Sequence, residues 1–94
     1  MANIRNENID RLFEVILGLK DNDDCYDFFT DVCTVKELQD MAQRLKTAVM
    51  LSDGDSYQKI TGETGVSAAT IGRVSRCLNY GSGGYRKAME ILKK

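Results

Sequence analysis

The chain has 94 residues, 43 % hydrophobic and 29 % charged, with a formal net charge of −1 and no Pro, Trp or His. That length suits one domain with a modest core, since such a chain buries roughly 60–65 % of the surface its unfolded form exposes, and pairing with a second copy is the natural remedy. Without histidine it lacks the commonest neutral-pH acid–base group and metal ligand, and without a run of about 18 apolar residues it has no membrane span.

The first apolar stripe is Ile9, Leu12, Phe13, Ile16 and Leu17. Its i, i+3, i+4, i+7, i+8 spacing predicts a helix from about Asn6 to Leu19. "KDNDD" interrupts it, and a short second helix is expected near Asp24 to Val32, anchored by Tyr26, Phe28 and Phe29. Thr34-Val35-Lys36-Glu37 has the pattern of a capping box. Leu38, Met41, Ala42, Leu45, Ala48 and Val49 follow on one face, predicting a helix of about 16–18 residues that ends before "SDGDS". Ser56 can cap the next helix, about Tyr57 to Thr64, and Gly65 can end it in a left-handed backbone. Ser67 can cap a further helix running to about Asn79. "NYGSGG" reads as a turn, and Tyr85 to Leu92 as the last helix. No strand-like alternation and no internal repeat is present. The reading is all-α, about six helices, in a single domain over residues 1–94.

Charge is divided unevenly along this series. Residues 1–55 carry six basic and twelve acidic residues, and residues 56–94 carry seven basic and two acidic ones. The C-terminal part is therefore suited to a polyanion.

"YQKITGETGVSAATIGRVSR" fits the helix-turn-helix template, with its turn glycine at Gly65. Ile60, Val66, Ile71 and Val74 fall on the positions that fill the wedge between the two helices. Thr61 stands where a small residue is needed, and Thr64 where an apolar one is common. On the second helix Ile71, Val74 and Leu78 share one face, and Ala69, Gly72, Arg73 and Arg76 share the other. Small side chains let such a helix enter the roughly 12 Å major groove. Ala68, Ala69 and Thr70 stand at its N-terminus, the end that meets base edges. Their methyl groups suit a thymine methyl, and the Thr70 hydroxyl suits a base or a phosphate. Ser56, Tyr57, Lys59 and Ser67 are candidate phosphate contacts. Arg76 can reach a guanine or a phosphate, and Arg73 stands beside it.

The segment from Thr34 to Leu78, and the run "SAATIGRVSRCLNYG" above all, resembles the Trp repressor superfamily and its YerC/YecD-type members. The resemblance spans about residues 10–92 and implies an all-helical fold in which two chains interlock. Each chain would present one helix-turn-helix to double-stranded DNA. It also implies a ligand pocket. The two arginines that hold the corepressor indole in the Trp repressor match Arg44 and Arg73, the threonine opening the central helix matches Thr34, and backbone carbonyls near the ligand amine match Asp31 and Cys33. Two positions depart. Val74 stands where the pocket has a glycine, and Cys77 where it has a serine. Val74 is also the apolar side chain a helix-turn-helix wants, so a tryptophan slot is expected to be filled by the protein itself.

Other motifs fail. Counted from Asp21, an EF-hand loop would need Gly at Tyr26 and Glu at Val32. Cys25, Cys33 and Cys77 lack zinc spacing. "TGETGVS" lacks the lysine of a phosphate-binding loop. No nucleophile with a partnered base can be assembled, so an enzyme is not expected, nor are a metal and a cofactor. An odd cysteine count without CxxC, and no recognisable signal peptide, point to the cytoplasm. The expected function is that of a homodimeric, sequence-specific DNA-binding transcriptional regulator acting through residues of about 56–79 and not responsive to tryptophan, its effector unknown. The alternatives are a tryptophan-dependent repressor and a helical protein-interaction module that does not bind DNA.

Overall fold

In a computed structural model, residues 4–93 are described, and they form six α-helices: α1 Glu7–Gly18, α2 Asn22–Val32, α3 Val35–Ser52, α4 Tyr57–Thr64, α5 Ala68–Tyr80 and α6 Gly84–Lys93. No strand occurs among the described residues. Contacts divide the chain into two units, one ending at Val35 and one from Lys36 onward.

In the first unit, both helices open on side-chain caps. Asn6 Oδ1 accepts from the Ile9 N–H at 2.9 Å. Asp21 Oδ1 accepts from the Asp24 N–H at 2.8 Å, and the Asp24 carboxylate accepts from the Lys20 N–H at 3.1 Å. This reciprocal pair starts α2 two residues before the expected Asp24, because Asp21 rather than a later aspartate supplies the cap. Phe28 and Phe29 meet edge to face, with centroids 5.3 Å apart. The stripe predicted on α1 is present but largely uncovered within this chain: Leu12, Phe13 and Leu17 are exposed, Leu17 by 85 %.

The second unit holds the buried core. Ile60 of α4 and Ile71 of α5 pack with Met50 of α3, and Leu51 and Val66 close over them. α5 also packs against α6. The stripe predicted on α3 is only partly the buried face. Thr47, Ala48 and Met50 are buried, while Met41 and Ala42 are exposed. The α4–α5 pair meets α3 at Met50, and Thr47 is buried one turn before it. Thr47 is tolerated there because its hydroxyl donates to the Gln43 carbonyl at 2.8 Å.

Ser56 and Ser67 cap α4 and α5 as expected, accepting from the Lys59 and Thr70 N–H groups at 3.1 Å each. Gly65 ends α4 at φ 77°, and its N–H donates to the Thr61 carbonyl at 2.8 Å. An L-residue with a side chain is strained in that backbone. Ser67→Ala should cost about 1 kcal/mol, the usual loss when a cap is removed. The midpoint of a urea titration measures it; an unchanged midpoint would show that α5 does not depend on this cap.

Candidate nucleic-acid interface

Ile60, Ile71 and Val66 close the wedge between α4 and α5 as the sequence assigned them, and the fourth side chain, Val74, is buried where α5 lines a cleft with Arg44 and Tyr85. Ile60 and Ile71 are fully buried, Val74 is 2 % exposed, and Val66 is half-buried. Thr64, polar where the template is usually apolar, is buried too. Its hydroxyl donates to the Ile60 carbonyl at 2.7 Å, and its oxygen accepts from the Val66 N–H at 3.2 Å. The threonine thus satisfies a backbone donor of the turn as well as filling space, and Thr61 stays exposed.

With one face of α5 buried, the opposite face is exposed. Ala68, Ala69, Arg73 and Arg76 all lie on exposed surface. Neither arginine has an ion-pair partner among the described residues. Gly72, half-buried, sits one turn after Ala68 and one turn before Arg76. Nothing lies within 4 Å of where its Cβ would stand. Ser56, Tyr57 and Lys59 open α4 at the surface. Lys59 Nζ lies 3.3 Å from Asp55 Oδ1, one turn away. A surface pair of this kind is worth at most about 1 kcal/mol, so the ammonium can exchange its partner for a phosphate.

Thr70 is placed differently from the other candidate base contacts. It is half-buried, toward α3 rather than on the bare face. The Ser67 hydroxyl donates to Thr70 Oγ1 at 3.1 Å, which leaves the Thr70 proton as the free donor of the pair.

On that flank a cleft of about 290 Å³ is lined by Arg44 of α3, Thr70, Arg73, Val74 and Cys77 of α5, and Tyr85 of α6. Four of the five residues named for a ligand pocket therefore meet in one place; Thr34 precedes α3 and belongs to the first unit. The volume is at the low end for small-molecule sites. Tyr85 was missed by sequence reasoning, since its approach to α5 depends on the path of the glycine-rich turn. A second cleft of about 270 Å³, sharing Arg44 and Thr70, is lined further by Lys36, Asp40, Gln43, Gly65 and Val66. No cluster of three or more metal-ligating side chains occurs among the described residues, and no described helix is long and apolar enough to cross a membrane.

Six helices, with a short hairpin whose second helix is buried on one side and basic and bare on the other, define a protein of the helix-turn-helix class. The chain belongs to the Trp repressor protein family, whose pattern matches residues 7–93. It is 52 % identical to the uncharacterized protein YerC of Bacillus subtilis (strain 168), over 97 % of this chain and 88 % of that one. Its fold matches the crystal structure of a TrpR-like protein from Eubacterium eligens ATCC 27750 with a TM-score of 0.92. There the identity is 46 %, over 96 % of this chain and 93 % of that one. A second solved structure, from Staphylococcus aureus, matches with a TM-score of 0.91 and 41 % identity, over 96 % and 90 % of the two chains.

Proposed function

We propose that this chain is a sequence-specific DNA-binding transcriptional regulator, acting in the cytoplasm as a homodimer through the helix-turn-helix at about 56–79. The observation that carries the reading is the exposed face of α5, where Ala68, Ala69 and Gly72 are followed by two guanidinium groups without an ion-pair partner among the described residues. Family membership supports the same reading. Ser56, Tyr57, Lys59 and Ser67 would hold phosphates; Ala68 and Ala69 would meet base edges; Thr70, turned toward α3, would offer its hydroxyl to a base or phosphate at the rim of that face; Arg73 and Arg76 would meet either. The whole of residues 1–94 would act as one domain, completed by its partner copy. Exposed Leu12, Phe13 and Leu17 supply the apolar face such a partner would cover, and the two recognition helices would then lie about 34–36 Å apart.

The protein is read as unresponsive to tryptophan because a buried valine, Val74, stands where a tryptophan slot would need empty space. The cleft between Arg44 and Arg73 favours the second reading, a tryptophan-dependent repressor.

The test is selection of binding sites from random duplex DNA with the purified protein, followed by titration with salt. A recovered palindrome is expected, with affinity falling by about 0.9 log units per log unit of salt for each phosphate neutralised. Arg76→Ala should cost about 1–3 kcal/mol and relax one base position if the arginine reads guanine. It should weaken all sequences alike if it holds a phosphate. Failure to retain any duplex would leave a protein-interaction module instead.

A further inference from the structure

Gly72 lowers the stability of α5, and nothing inside the chain requires it. It lies in the middle of a 13-residue helix. The other helical glycines, Gly18, Gly62 and Gly84, stand in a first or last turn. Positive φ among the described residues occurs at Gly54, Gly65 and Gly83, not at Gly72. A Cβ built on Gly72 meets no atom within 4 Å. Neither backbone conformation nor packing therefore excludes alanine, which is the better helix former. The reason for a bare Cα must lie outside the chain.

The neighbours of that spot indicate what approaches it. Arg73 adjoins it and Arg76 lies one turn on, both exposed and both without an ion-pair partner among the described residues. An apolar partner seated there would strip water from two guanidinium groups and return no counter-charge. The same face of a second copy would bring like charges together. An anionic chain has neither difficulty.

We infer that Gly72 is a close-approach position for the sugar–phosphate backbone of DNA. A strand passes directly over its Cα, near enough for Arg73 and Arg76, both on its C-terminal side, to reach phosphates of that strand. This rests on the DNA-binding reading above and adds to it a residue whose role is the side chain it lacks. Backbone contacts carry no sequence information, so Gly72 sets affinity and register rather than base preference.

The test compares the full chain with Gly72→Ala and Gly72→Leu. Thermal unfolding, mass by light scattering, and affinity for the selected duplex and for an unrelated one are measured on each. Gly72→Ala should melt about 2–8 °C higher. Its mass should be unchanged, and both duplexes should bind about tenfold more weakly. Gly72→Leu should bind more weakly still with no loss of melting temperature. Equal or tighter binding by both variants overturns the inference. A lower melting temperature for Gly72→Ala overturns it too, by revealing an internal need for glycine, and so does a loss confined to one base position. If the unmodified chain retains no duplex, the DNA-binding reading falls and takes this inference with it. If it binds and the variants bind equally, Gly72 alone is wrongly assigned.

Discussion

Leu17→Asp is expected to break the proposed homodimer and with it most of the fold's stability. Within one chain the substitution looks harmless. Leu17 is 85 % exposed at the end of α1, and surface changes usually stay within about 0.5 kcal/mol. The proposed dimer reverses this. Leu17 then belongs to the apolar stripe of Leu12, Phe13 and Ile16 that a partner copy covers. Aspartate there would place an unpaired carboxylate in the interface of each chain, at a cost of several kcal/mol per charge. Sedimentation should show the unmodified protein at twice the chain mass at micromolar concentration. The variant should be monomeric or unfolded, with a urea midpoint far below. A dimer of unchanged midpoint would remove α1 from the interface, and a monomeric unmodified protein would remove the dimer itself.

Val74→Gly is expected to have the largest effect in the second unit. Val74, on α5, is 2 % exposed. Losing its buried side chain and adding a glycine mid-helix should together cost about 2–4 kcal/mol. The same change enlarges the cleft that Val74 lines with Arg44 and Arg73. Calorimetry should detect no heat when tryptophan is added to the unmodified protein, and tryptophan should leave its DNA affinity unchanged. Binding of tryptophan should be gained by the variant, under conditions where it stays folded. Tight binding by the unmodified protein, with tenfold tighter DNA binding in its presence, would show that Val74 does not close the slot.

Much of this architecture is legible in the residues because it is local. Ser56, Ser67 and Gly65 act within one helical turn, and the structure uses each as its chemistry dictates. The wedge of Ile60, Val66 and Ile71 is legible too, since two helices joined by a short turn must bury facing stripes. The register of α3 is less so. The stripe Leu38–Val49 is amphipathic, yet the buried face at its end includes Thr47 and Met50, because where α4 and α5 land is a tertiary matter. Tyr85 was out of reach for the same reason. The turn between α5 and α6 passes through Gly83 at φ 88°, and composition alone does not give its direction. Thr64 looked like a defect of the motif until its hydroxyl was seen to hold the Val66 N–H.

The division into two units is also a division of charge. The unit ending at Val35 has eight acidic and three basic residues, and the unit from Lys36 has six acidic and ten basic ones. They carry −5 and +4, and the recognition helix belongs to the positive one. The consequence is kinetic. Toward a polyanion farther away than the Debye length, about 8 Å at physiological salt, the protein is nearly neutral. Closer in, the basic groups of the C-terminal unit are each attracted to phosphates and the acidic groups of the N-terminal unit are each repelled. Raising the salt should slow productive association more than it slows diffusion, so the bimolecular rate constant as well as the affinity should depend on ionic strength.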